Sequence, residues 1–145
     1  QRQMCKETEY DVRKHELKRF LEAQNVPYVE DEYDHHEWLS VIKGLEDEPE
    51  RGSRCSVCFQ FRLSHAAKYA QEHGFHLLTT TLASSRWKNI RQIDTAGHLA
   101  VEAYPDVEWW DMNWRKGGLQ NRRGELLRIN EFYNQLYCGC EFSMR

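Results

Sequence analysis

Between Tyr10 and Gln24, apolar residues recur at Leu17, Phe20 and Leu21 while charges fill the other positions, the spacing of an amphipathic helix. Asn25-Val26-Pro27 ends it, and Val26 to Val29 reads as a short strand. Asp34 followed three residues later by Glu37 has the form of a capping box for a helix carrying Trp38, Leu39, Val41 and Ile42. Gly44 to Arg54 is then an acidic loop containing Gly and Pro. From Cys55 to His73 the apolar spacing is helical again (Val57, Phe61, Leu63, Ala66, Ala70), and Gly74 stops the helix at the C′ position. Phe75 to Thr81 is an apolar, β-rich run. Ile90 to Tyr104 predicts a helix with Ile93, Ala96, Ala100 and Val101 inward, broken by Pro105. Val107 to Met112 reads as an alternating strand with Trp110, and with it Trp109, in the core. Arg115 to Gly124 is a polar loop, and Leu126 to Tyr137 a last helix.

Helix and strand alternate, which predicts an α/β layer with a mainly parallel sheet in a single domain over residues 1–145. Only three strands are legible, few for such a fold, and the shortage points to a missing first β-strand. A start at Gln1 that runs straight into a helical pattern suits a fragment or an odd gene product.

Composition adds a setting. Thirty per cent of residues are charged, and no apolar run approaches the roughly 18 residues needed to span a bilayer. Gln1 to Tyr10 carries no signal-peptide hydrophobic region, so a soluble, cytoplasmic protein is expected. The net charge of -3 does not announce a nucleic-acid binder. Its distribution is uneven: residues 1–50 hold seven Lys/Arg against fourteen Asp/Glu, residues 51–145 thirteen against nine. The second part can offer a basic face to an anion, although solvated scatter accounts for the same numbers. The seven histidines show no His-x-x-x-His pair, and His35-His36 is their one cluster; they read as surface residues.

Chemistry enters with the cysteines. Five without a secretory signal argue for a reducing compartment rather than a disulfide scaffold. Cys55-x-x-Cys58 opens a helix, where backbone N–H groups and the helix dipole stabilise thiolate, and Cys138-Gly139-Cys140 follows another. The central Gly lets the backbone turn so that both sulfurs face one site. Three chemistries fit: a zinc tetrahedron, a redox dithiol and an iron–sulfur site. The ~80 residues between the pairs are long for a zinc ribbon, and an acidic loop precedes the first pair where a thioredoxin-like motif has a strand. Spacing leaves the three open. Cys5 stands alone in a polar stretch and reads as a bystander.

The flanking residues narrow the choice. They run Tyr33-Asp34, Trp38, Gly44-Leu45-Glu46-Asp47-Glu48-Pro49-Glu50, Arg54-Cys55-x-x-Cys58-Phe59, then Thr79-Thr80-Thr81-Leu82 and Ser85-Arg86-Trp87-Lys88. Trp110-Asp111-x-Asn113-Trp114-Arg115-Lys116-Gly117-Gly118 and Phe132-Tyr133-x-Gln135-x-Tyr137-Cys138-Gly139-Cys140 complete the series. From about Glu9 to Ser143 the chain resembles QueH, the epoxyqueuosine reductase unrelated to the cobalamin-dependent enzyme of the same activity.

The resemblance implies reduction of epoxyqueuosine to queuosine at the wobble position of transfer RNA, with an external electron donor. It implies a 4Fe–4S cluster beside a mononuclear iron, and a three-layer sheet like that of the adenine-nucleotide hydrolases (HUP-like). By motif, Cys55 and Cys58 would bind the cluster, and Cys138 and Cys140 complete the metal site at the second iron. Asp47 is the first candidate for a ligating carboxylate and Asp34 the second, although Asp34 also fits as a helix cap. Family members usually begin with a strand and a Cys-Cys-x-x-Cys motif, which the chain lacks and Cys5 does not match. Thr79, Thr80, Thr81 and Ser85 lie at the carboxyl end of a predicted strand, where open α/β sheets bind ligands; capping the helix before Ile90 is their other use. Arg86, Lys88, Arg115, Lys116, Arg122 and Arg123 are candidate phosphate contacts, with Trp87 or Trp114 stacking on splayed bases. The competing functions are a zinc-stabilised nucleic-acid-binding module without catalysis, and a non-catalytic paralogue that binds tRNA.

Overall fold

Leu77 and Leu78 (β1) pair in parallel with Glu108 and Trp109 (β2), and the helix Ile90–Val101 (α4) lies between them in the chain, a βαβ unit. The structure is a computed structural model that describes residues 2–31, 34–133 and 135–143, with side chains from Glu9 onward. Its other helices are α1 (Arg2–Ala23), α2 (His35–Val41), α3 (Ser53–Glu72) and α5 (Leu119–Ile129). Single 3-10 turns occupy Thr81–Ser84 and Glu141–Ser143. The chain divides into two compact units, Asp34–Gln120 and Gln1–Tyr33 with Asn121–Arg145.

In the first unit, α3 packs on α4 through Phe59, Leu63 and Ala67 against Ile93, Ala96 and Ala100, with Trp109 closing the cluster. The buried stripe of α3 is rotated from the one expected: Ala67 is buried where Ala66 is half-buried, and Val57 and Phe61 are half-buried. Ala67 is the residue of α3 that joins Ile93, Ala96 and Ala100 of α4 in the core, where small side chains let the helices approach; on α4, a Cβ at Gly97 would fall inside the Trp109 indole of β2.

Three expected elements are corrected. Val26 to Val29 forms no strand among the described residues: Pro27 has no N–H to donate, and Val26 and Val29 are exposed with nothing to bury a face against. The stretch from Arg115 is a loop only to Gly118, because α5 begins at Leu119, takes Gly124 into its interior and stops at Ile129, well short of Tyr137. Its end is a Schellman turn, with Phe132 N–H on Leu127 O, Glu131 N–H on Arg128 O, and Glu131 at positive φ. Glu cannot be read as a helix stop, so the sequence hides this boundary. Finally, Trp110 is 43% exposed while Trp109 is buried, because Val107 and Trp109 alternate onto the core side of β2. The two strands are also shorter than the runs that predicted them.

Other local signals hold. Asp34 Oδ1 accepts the Glu37 N–H at 2.9 Å, the cap of α2. Gly74 takes the left-handed C′ position of α3, with Phe75 N–H on Ala70 O. No helix among the described residues is long and apolar enough to cross a membrane.

Candidate metal and substrate site

Cys55 and Cys58 lie in the first turns of α3, both half-buried. The helix starts without a side-chain cap from Gly52; instead Glu48 Oε2 accepts the Ser53 N–H at 3.0 Å. A Cβ on Gly52 would stand 2.6 Å from that same Oε2, so the glycine makes room for the cap. Arg54, 2% exposed, folds the preceding acidic loop around one nitrogen: its NH1 donates to the carbonyls of Leu45, Glu46 and Glu48. Three carbonyls of its own chain accept from that nitrogen, which offsets much of the cost of burying it.

Each sulfur of this pair receives an N–H. The backbone of Arg51, at φ +69°, donates to Cys55 Sγ at 3.3 Å, and the Trp38 indole Nε1 donates to Cys58 Sγ at 3.4 Å. Such donors complement the charge that a metal-bound thiolate carries. Gln92 of α4 ties the corner to its neighbours, its Nε2 reaching Arg51 O at 2.8 Å and Ser56 Oγ at 2.9 Å. Of the two candidate carboxylates, Asp34 is the cap of α2 and Asp47 is exposed in the loop that Arg54 organises. Among the described residues no three His, Cys, Asp or Glu side chains gather into a metal-holding group.

The same unit carries the expected substrate residues. Thr79 Oγ1 donates to Trp110 O, and Thr80 Oγ1 accepts the Leu82 N–H, capping the 3-10 turn. The cap before Ile90 is Asn89, whose Oδ1 accepts the Arg91 N–H, which corrects the assignment of that task to Thr79–Thr81 and Ser85. Thr81 is exposed and Ser85 half-buried. Arg115 uses its Nε on Ala83 O and its NH2 on Lys88 O, both at 3.0 Å. Burial, with Arg51 nearby, lowers its guanidinium from the ordinary arginine value. Lys88 is 10% exposed and 3.9 Å from Glu50, whereas Lys116 and Arg86 are exposed. The Trp114 Nε1 donates to Thr80 O, and its ring meets Trp110 edge-on.

In the second unit, Cys138-Gly139-Cys140 is a turn with Gly139 at φ +93°. Arg13 of α1 holds it, donating from NH1 to Cys138 O at 3.0 Å and from NH2 to Tyr137 O at 2.8 Å. Glu9 orients that guanidinium at 2.7 Å from its Nε and accepts the Tyr133 hydroxyl at 2.9 Å. Ser143 Oγ lies 3.1 Å from Cys138 Sγ and donates to Cys140 O at 2.7 Å. Arg122 pairs with Glu125, and Arg123 is exposed. The Cys5 side chain lies outside the described residues.

Sequence reading missed Arg13, Glu48, Arg51, Gln92 and Asp94. Arg13, Gln92 and the Arg51 side chain act on segments distant in the chain, which no local pattern announces, whereas Glu48 and the Arg51 N–H act within five residues of themselves. Asp94 Oδ1 is buried beside Trp109; burial raises its carboxyl above the ordinary value, Asp111 adds to the rise, and the Trp109 indole opposes it.

The chain matches the family model described as epoxyqueuosine reductase QueH over residues 2–145. It is 49% identical over 137 residues to the protein of that name from Histophilus somni, covering 94% of this chain and 56% of the relative. The Acinetobacter baylyi protein is 47% identical, covering 94% and 63%, and the Helicobacter pylori one 31%, covering 95% and 39%. The chain thus spans about half the length of the curated relatives it matches. With the family model matched over residues 2–145 and nearly half of 137 aligned residues identical to a named member, the chain belongs to the epoxyqueuosine reductase QueH family.

Proposed function

We propose that this chain carries metal-binding and substrate-binding parts of an oxidoreductase that converts epoxyqueuosine to queuosine at the wobble position of tRNA. The observation that carries the reading is the pair of N–H donors on the pair of sulfurs, Arg51 on Cys55 and Trp38 on Cys58, in a member of this family. Half-buried thiols with such donors suit soft, thiolate-bound iron. Cys55 and Cys58 would hold a 4Fe–4S cluster, and Cys138 and Cys140 would complete the site at a neighbouring mononuclear iron, with Asp47 ahead of Asp34 as the carboxylate. When bound, the iron centres supply the electrons, drawn from an external donor, and a Lewis acid for the epoxide oxygen.

The chain's own residues orient and exclude. Arg51 and Trp38 fix the sulfurs of one pair, and Arg13 and Ser143 fix the turn of the other. Thr80, Thr81, Ser85, Lys88, Arg115 and Lys116 sit on the strand ends and loops of one unit, Arg115 and Lys88 shaping the loop that would meet tRNA. The parallel β1–α4–β2 unit is compatible with a larger HUP-like sheet. A reducing, cytoplasmic setting follows from thiolate chemistry on a tRNA.

Anaerobic purification with iron and sulfide analysis tests this. The expected result is about five irons per chain and a broad absorbance near ~400 nm, as for a thiolate-bound cluster with one further iron. Colourless protein with zinc, or with no metal, would remove the catalytic reading and leave a zinc- or tRNA-binding member of the family.

A further inference from the structure

We propose that Trp87, with Arg86 beside it, is a stacking platform for an unpaired base of the RNA, next to the one that is reduced. The inference rests on the reading that the substrate is a tRNA. Of the five tryptophans Trp87 is the most exposed, at 64%. The others are engaged: Trp109 is buried, Trp38 and Trp114 donate from their indoles to Cys58 and Thr80, and Trp110 packs on Trp114. A large apolar ring left in water gains when a flat partner covers it.

The ring is offered on a braced loop. Arg51 Nε donates to Trp87 O at 2.9 Å, Arg115 holds the carbonyls of Ala83 and Lys88, and the Lys88 N–H closes on Ser85 O. A partner that stacks there therefore orders little new backbone, which keeps the entropic cost of binding low. The chemistry favours an anion carrying flat rings. The Arg86 guanidinium lies 5.3 Å from the Trp87 ring centroid, and Ser84 to Arg91 contains three cations and no acid. Lys88 is engaged with Glu50, which leaves the exposed Arg86 and Arg91 for phosphate. Unpaired bases stack on tryptophan and arginine planes, whereas a duplex hides its base faces. Placement comes from Arg51, whose N–H is on Cys55 Sγ and whose side chain is on Trp87 O. One residue thus links the thiol to the platform, so a nucleotide on Trp87 flanks whatever is handled at Cys55.

The test measures binding of a labelled RNA hairpin with an anticodon-type loop, and of a fully paired duplex of equal length, to the chain prepared anaerobically. Trp87→Ala is expected to weaken hairpin binding roughly tenfold, the loss of one base stack, and to leave duplex binding unchanged. Trp87→Phe should retain most of the affinity, which separates stacking from misfolding. Equal hairpin affinity in Trp87→Ala, or an equal loss on hairpin and duplex, overturns the platform. A changed oligomeric state at unchanged RNA affinity overturns it too, by making Trp87 a protein contact. If the unaltered chain binds no RNA, the platform and the tRNA reading fall together; if it binds and only the Trp87 effects are absent, the tRNA reading stands.

Discussion

Arg51 donates its backbone N–H to the sulfur of Cys55 at 3.3 Å from a left-handed conformation, φ +69°. A non-glycine residue pays for that conformation by roughly 1–2 kcal/mol. The residue persists there because both of its ends are used: the N–H on the thiol and the guanidinium Nε on Trp87 O. The strain thus lies at a corner that joins a cysteine to the loop beside it.

Arg51→Gly separates the two tasks. Glycine keeps the N–H and removes the strain, while the tether to Trp87 is lost, at about 1 kcal/mol for such a hydrogen bond. The two changes offset, and the expected urea midpoint lies within about 1 kcal/mol of the parent's. Amide exchange at residues 83–88 should quicken while alkylation of Cys55 keeps the parent's rate. Faster alkylation of Cys55 in this variant would mean that the side chain, not the N–H, supports it.

Gly97→Ala tests the packing of α4 on β2. The added methyl falls within the Trp109 indole, which has no open side to move toward because it is 5% exposed. The expected cost is about 1–3 kcal/mol by chemical denaturation, as for an overpacked core. Trp109→Leu should cost several kcal/mol alone yet less in the Gly97→Ala background, since the clash then disappears. Additive effects would place the strain elsewhere.

How much of this was legible follows the range of each signal. The Asp34 cap, the Gly74 stop and the inward Ile93, Ala96 and Ala100 are local, set by residues within one turn of each other, and they stand as read. The failures are tertiary. Val26 to Val29 has strand composition but no face to bury, and Glu131 ends α5 in a conformation its residue type does not advertise. The cysteine pairs were plain from spacing, whereas their supports reach across the chain: Trp38 to Cys58 spans twenty residues and Arg13 to Cys138 one hundred and twenty-five. Likeness to a family could point to the thiols but not to the groups that aim them.

Asp94 should make stability fall with rising pH. Burial beside Trp109 raises its carboxyl above the unfolded value, so the folded state holds the proton more tightly than the unfolded one. Its contribution is complete below the unfolded value, about 3.9, and is lost as pH rises through the higher folded one. Asp94→Asn cannot ionise and lacks this loss. Urea midpoints compared at about pH 4 and about pH 7 should move in favour of the variant at the higher pH. A difference that does not change with pH would show that the carboxyl titrates normally.

Arg13 should govern the second cysteine pair alone. Its planar guanidinium spans two carbonyls, those of Tyr137 and Cys138, and a Cβ on Gly139 would come within 2.9 Å of its NH1. Because Arg13 is 24% exposed, its removal should cost about 2 kcal/mol, toward the lower end for two charged hydrogen bonds. Arg13→Ala is therefore expected to speed alkylation of Cys138 and Cys140 while Cys55 and Cys58, in the other compact unit, react at the parent's rate. Arg13→Lys should restore little, because a single ammonium cannot bridge two carbonyls as a fork does. If all four thiols quicken together the variant has unfolded globally, and if none does, the turn is held by Ser143 and the glycine conformation without help from α1.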